Sequence, residues 1–445
     1  MNFLTDKIKP MYLKYLYAAF GSALISSIYG IVDMAMVGRY QGPDGTAALA
    51  IVSPVWNIIY SLGLLMGIGG SVYFSILRGR SEEYHKKSNE YFTASLIGVL
   101  FLSILSWIGI IFFDSELLKF FGSNDELLHL AKSYLFPIKF VVPCFLFNQF
   151  LAAFLRNDGN PVLATRAVLF GGIFNVIGDY FFVFTLDMGI MGAGLATAIG
   201  SVLSFLMMLR HFRSEKNSLE IKKPEKLLTM IKEITETGFS TFFIDIAMGI
   251  LTIFFNRQIL KYLGTSELSI YGVIINISTF VQCCAYSIGQ ASQPIISANF
   301  GAENEKRIRE TLKYSLITAA FFGIAWTLVI ELFPNLFINI FMKPTEEILK
   351  LAPAILSSYG ISFLLLPFNI FSTYYFQAIM KPRTSFIVSV ARGALISGIL
   401  IYILPTVFGP NSIWFTMVIT ELIVAIYVAY KIKSFNNELK IKFSK

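Results

Sequence analysis

Two carboxylates stand where carboxylates are costly. Asp33 lies near the outer end of the apolar run Ser26-Ser27-Ile28-Tyr29-Gly30-Ile31-Val32-Asp33-Met34-Ala35-Met36, and Asp179 lies inside Phe174-Asn175-Val176-Ile177-Gly178-Asp179-Tyr180-Phe181-Phe182. A bare acid in hydrocarbon costs several kcal/mol, and membrane chains that keep one use it to move ions or solutes. Asn175 precedes Asp179 by about one helical turn and shares its face. Thr197 follows in the next apolar run. Two carboxylates buried close together cannot both ionise cheaply. The set therefore suits a proton that loads on one side and unloads on the other. It equally suits a hard monovalent cation such as Na⁺, ligated by Asp33, Asn175, Asp179 and Thr197. The competing reading is purely structural, with both acids hydrogen-bonded to neighbouring helices.

Such residues need long apolar elements to carry them. The 445-residue chain is 55% hydrophobic and 14% charged, where soluble domains hold about 25% charged residues. Its apolar stretches run to ~20–30 residues, enough to span a bilayer as helices. Lipid permits only helices or closed barrels, and continuous rather than alternating apolar runs select helices. The fold class expected is all-α integral membrane, with twelve transmembrane helices at 12–38, 46–77, 90–113, 127–155, 162–184, 189–212, 237–260, 268–299, 312–332, 348–378, 384–407 and 411–431. Lys7, Lys9, Lys14, Arg78, Arg80, Lys86, Lys87, Arg156 and the basic run Arg210 to Lys226 mark one side. The other carries scattered Arg39, Lys119 and Lys343 among Asp44, Asp114, Glu116, Asp125, Glu346 and Glu347. The positive-inside rule then places both termini in the cytoplasm. The net charge of +8 is a topology signal in short loops, so no nucleic-acid partner is expected.

The polar stretch 214–236 divides the spans six and six. This gives an N-terminal lobe 1–213, a cytoplasmic linker 214–236 and a C-terminal lobe 237–445. Within the linker, Leu227 to Ile234 has the pattern of a short surface helix, although a plain tether is the simpler reading. Gly69 and Gly289, Gly79 and Gly301, Pro161 and Pro382, and Gly42 and Gly264 pair at offsets of 220, 222, 221 and 222 residues. A nearly constant offset with six spans per half indicates two pseudo-symmetric lobes of the same orientation, with substrate between them.

Helix rise, ~1.5 Å per residue, puts Asp33, Asn175, Asp179 and Thr197 at one level in the outer half of the first lobe. Asn148, Gln149, Asp245, Asn256 and Gln290 are the candidate lining of a substrate cavity. Asn256 stands close to the repeat equivalent of Asp33, so the second lobe lacks that acid. Lys139, Arg257, Arg392 and Glu421 are expected to snorkel or pair. The 43 Phe, 21 Tyr and 14 Met serve mainly as lipid-facing and packing surface, and some suit a greasy cavity for cations. Cys144, Cys283 and Cys284 lie in apolar runs without zinc spacing. The start of the chain lacks a cleavable signal pattern. No P-loop, nucleophile elbow or metal-spaced cluster of His85, His129 and His211 is present. The expectation is therefore a non-enzyme without cofactor, coupled to an ion gradient rather than to ATP.

The pattern resembles the multidrug and toxic compound extrusion (MATE) family over essentially the whole chain. The similarity rests on Asn175 to Phe182 continuing through Met188-Gly189-Ile190-Met191-Gly192-Ala193-Gly194-Leu195-Ala196-Thr197. It rests also on Val32 to Gly38, on Gly289-Gln290-Ala291-Ser292-Gln293-Pro294 with Asn299-Phe300-Gly301, and on Gln377 to Arg383. The resemblance implies two lobes that rock between outward-open and inward-open states. It implies export of amphipathic, mostly cationic drugs against H⁺ or Na⁺. The chain is expected to act as a monomer in the cytoplasmic membrane. It assigns the cation or proton site to Asp33, Asn175, Asp179 and Thr197. The chain departs from many relatives at Ala18, where they have Pro, and at Met248, where they carry an acid; Asp245 is about one turn away. The alternative is a lipid-linked precursor flippase of related architecture, which would require more cations facing the cavity. A receptor or scaffold is disfavoured by the absence of a soluble sensory domain.

Overall fold

A backbone amide finds no partner in lipid, so each spanning segment must close its own hydrogen bonds. The computed structural model does this with helices. It describes residues 2–342 and 344–443, so Lys343 lies outside the described residues, among which no strand occurs. Among the described residues eleven helices are long and apolar enough to cross a membrane, and a bent pair makes a twelfth span. They are α1 (Ile8–Gly42), α2 (Asp44–Arg80), α3 (Glu82–Phe120), α4 (Asp125–Ile138 with Val142–Asn157), α5 (Pro161–Thr185) and α6 (Gly189–Arg213). Then follow α7 (Leu227–Tyr262), α8 (Thr265–Gly301), α9 (Glu305–Leu332), α10 (Glu346–Ala378), α11 (Pro382–Phe408) and α12 (Pro410–Ile441). Gly42, at φ 70° and ψ −156°, separates α1 from α2, a conformation that glycine alone adopts without strain.

Two expectations are corrected and one span is bent. The stretch 127–155 is the bent pair, its two arms meeting at 61°. Pro143 lies in the first turn of the second arm, where its missing N–H is no loss. The Trp107 indole donates to the Lys139 carbonyl at 2.6 Å, which holds the elbow. Asp114 is not a loop charge. It sits near the end of α3 with 6% exposure, its Oδ2 2.6 Å from Lys139 and its Oδ1 3.4 Å from Lys132. Finally, Leu227 to Ile234 is neither a plain tether nor a separate surface helix, since it forms the opening turns of the continuous α7.

By packing, the chain forms two units, one of Met1–Thr5 with Tyr17–Phe242, the other of Asp6–Leu16 with Phe243–Lys445. Helices in lipid associate through close packing and polar contacts rather than through apolar burial. The first unit centres on Phe92, Phe150 and Phe154, whose rings stand 4.8 to 6.0 Å apart. Its linker is docked, because the Glu220 and Lys222 amides donate to Asn89 and Thr93 of α3 at 3.1 and 2.9 Å. The second unit centres on a buried polar knot. Arg392 Nε of α11 meets Glu421 Oε1 of α12 at 2.6 Å. Asn369 of α10 donates to Glu421 Oε2, also at 2.6 Å.

Candidate functional site

The site begins with two close helix approaches. A Cβ on Gly171 of α5 would lie 2.4 Å from the Gly200 carbonyl oxygen of α6, and one on Gly200 would lie 2.7 Å from that of Gly171. Small residues at both positions let the backbones meet. About one turn beyond Gly171, Asn175 therefore reaches Thr197, donating from Nδ2 to Oγ1 at 2.9 Å. On the neighbouring face of α6, a Cβ on Gly194 would lie 2.1 Å from the Tyr134 carbonyl oxygen. This approach seats the first arm of α4 against α6. The Tyr134 hydroxyl then donates to Asp33 Oδ2 at 2.6 Å and stands 3.5 Å from Thr197 Oγ1.

Asp179 lies about one turn beyond Asn175 and is fully buried; Asn175 is 3% and Asp33 7% exposed. Four buried acceptors here have no donor among the described residues: Asp33 Oδ1, Asn175 Oδ1 and both oxygens of Asp179. Just past Asp179 the helix widens, with the Leu186 N–H bonding back five residues to Phe181 at 2.9 Å, a distortion frequent at functional sites. The structure thus joins Asp33, Thr197 and Asn175 through Tyr134, with Asp179 buried about one turn beyond Asn175. Their oxygens fit a proton or a hard monovalent cation as cargo. Among the described residues no three His, Cys, Asp or Glu side chains converge.

The candidate cavity residues are distributed differently. Asn148 donates to the Ser201 carbonyl and hydroxyl, both at 3.0 Å, about one turn from Thr197 on α6. Gln149 is half-buried with its Cβ turned towards Gly63 of α2. In the second unit, Asp245 Oδ1 accepts from the Tyr286 hydroxyl at 2.9 Å, and Gln290 follows Tyr286 by about one turn. Asn256 lies about 16 Å from Asp245 along α7, so the two belong to different levels. Of the other intramembrane charges, Lys139, Arg392 and Glu421 are paired, and Arg257 is exposed.

Sequence reasoning missed Tyr134. Its signal was faint: a hydroxyl on the buried face formed with Ala131, Leu135 and Ile138. Tyr134→Phe is expected to lower gradient-driven transport about tenfold at unchanged expression, since a hydrogen bond to a charged group contributes about 1.5–3 kcal/mol; vesicle transport assays measure it. Asp114→Asn removes the partner of two lysines, one in the first arm of α4 and one at its elbow. Asp114 is buried but both lysines are partly exposed, so the cost lies between the surface and buried limits, at about 1–2 kcal/mol. A lowered melting midpoint in detergent is the expected readout, together with transport reduced in the manner of Tyr134→Phe.

The family model described as MatE matches the chain twice, over residues 18–181 and 241–403. The multidrug export protein MepA of Staphylococcus haemolyticus is 25% identical over 94% of this chain and 92% of its own length. MepA of Staphylococcus aureus is 25% identical over 91% and 88%. Among solved structures, an outward-facing multidrug resistance MATE family transporter of the MOP superfamily superposes with a TM-score of 0.89 at 20% identity, covering 98% of each chain. A MOP superfamily transporter from Pyrococcus furiosus gives the same values. These superpositions establish the fold. Matched in both of its halves, this multi-pass membrane chain belongs to the MatE family.

Proposed function

We propose that the chain is a multidrug efflux transporter of the cytoplasmic membrane. It exports amphipathic, mostly cationic compounds in exchange for H⁺ or Na⁺ by rocker-type alternating access of its two six-helix lobes. Both termini are cytoplasmic, and the monomer is the working unit. The carrying observation is the pocket of four buried acceptor oxygens without a donor. Buried oxygens of this kind are stabilised by a proton or a cation. The relatives named multidrug export proteins support the cargo class.

An inward H⁺ gains about 2.3 kcal/mol per 100 mV of membrane potential. That energy reaches the cargo only if ion and drug favour differently exposed states. The Asp33–Asp179 pocket alternates between a loaded form that binds drug poorly and an empty anionic form that binds it well. The flippase alternative is not favoured. A pyrophosphate needs convergent cations, whereas Lys139 and Arg392 are committed to Asp114 and Glu421.

Purified protein in proteoliposomes tests the proposal. A fluorescent organic cation is expected to enter vesicles whose lumen is acidic or Na⁺-loaded, and the gradient that works identifies the coupling ion. Absence of dye entry under both gradients would overturn ion-coupled exchange.

A further inference from the structure

A cavity of about 410 Å³ opens beside α9, α10 and α12 in the second unit, remote in sequence from the pocket above. Its lining is ordered along the helix axes. Arg309, Lys433, Asn436 and Asn437 lie at the end nearest the charged helix termini, with Ile432 beside Lys433, and Leu316 and Phe368 lie further in. Arg309 and Leu316 are seven residues apart on one helix, about 10 Å along its axis. A basic, hydrogen-bonding mouth therefore leads to an apolar floor over the depth of a phospholipid headgroup and the start of its acyl chain.

One turn before Arg309, Glu305 engages it, Oε1 to Nε at 2.5 Å. Arg309 also donates from Nη2 to the Asn436 carbonyl at 3.2 Å, which fixes the guanidinium at the lip. Nearby, Glu438 is held by Lys381 at 2.8 Å. Lys431 lies 5.7 Å from the Phe435 ring and adds positive charge on the same helix. Glu305 and Glu438 are thus each matched by one cation, which leaves the charges of Lys433 and Lys431 in excess.

We infer that this cavity binds one anionic glycerophospholipid, its phosphate at Arg309 and Lys433 and an acyl chain along Leu316 and Phe368. Basic pockets between transmembrane helices hold anionic headgroups in this way. The leaflet follows from the orientation proposed above, which makes it the cytoplasmic one. Bound lipid would tie the ends of α9 and α12 together and stabilise the second unit.

Full-length protein purified in mild detergent tests this by native mass spectrometry and thermal melting, with phosphatidylglycerol, phosphatidylcholine or inorganic phosphate added. Phosphatidylglycerol is expected to remain bound and to raise the melting midpoint, and the other two to do neither. Each cation contributes about fivefold to anionic-lipid affinity, so Arg309→Gln with Lys433→Gln is expected to weaken retention about 25-fold. Ala429→Trp fills the cavity without touching its charge and is expected to displace the lipid equally, which guards against misfolding of the charge variant. Equal retention of both lipids, full retention by Ala429→Trp, or the same stabilisation from inorganic phosphate alone would each overturn the inference. No transport is read, so this outcome is independent of whether Asp33 and Asp179 couple efflux.

Discussion

Asp33→Asn and Asp179→Asn are each expected to reduce gradient-driven dye movement to the level of empty vesicles, while the protein still inserts and purifies. The amide keeps the shape of the acid and removes the exchangeable proton and the negative charge. Alternation between a neutralised and an anionic pocket then has no second state to reach. The measurement is dye flux in proteoliposomes under whichever gradient drives the unmodified protein. Normal flux from both variants would end the coupling mechanism.

The same substitution at Asp179 has an opposite expected effect on stability. Its two oxygens are buried with no donor, and Asp33 Oδ1 and Asn175 Oδ1 are in the same condition. An amide replaces one acceptor by a donor in a pocket that has acceptors to spare. Relieving an unsatisfied buried group is worth about 1–3 kcal/mol, so Asp179→Asn is expected to melt a few degrees higher in detergent. Loss of activity with gain of stability is the mark of a functional site held at a cost. A structural acid behaves the other way, and a lowered midpoint with retained flux would assign Asp179 to that role.

The spans were legible because lipid imposes one solution on long apolar runs. The two acids were legible for the same reason, as a carboxylate has few reasons to stay in such a run. The elbow of α4 was not. The second arm is apolar and the first carries Asp125, Glu126, His129 and Lys132, yet neither Pro137 nor Pro143 reveals whether a helix kinks or stops. Tyr134 was hidden among 21 tyrosines, since only the approach of α4 to Gly194 aims its hydroxyl at Asp33. Asp114 read as a loop anion because it lies close to the end of its span and its two lysines belong to a later helix. Arg392 and Glu421 stood out as charges in need of partners. That they partner each other depends on α11 lying beside α12, which no local pattern states.

That last pair carries the largest stability effect expected in the second unit. Glu421 is fully buried and Arg392 is 7% exposed, and Asn369 supplies a further donor to the carboxylate. Arg392→Met leaves an anion in the interior with the Asn369 amide as its remaining donor among the described hydrogen bonds. Removing one member of a buried pair costs about 3–5 kcal/mol, chiefly because the other charge stays behind. The melting midpoint in detergent is expected to fall steeply. Adding Glu421→Gln to Arg392→Met removes the stranded charge and leaves a carbonyl that still accepts from Asn369. The double variant is therefore expected to recover most of the loss, since neighbours in one network are not additive. A double variant as unstable as the sum of the single ones would show that the two side chains stabilise α11 and α12 by separate packing and not as an ion pair.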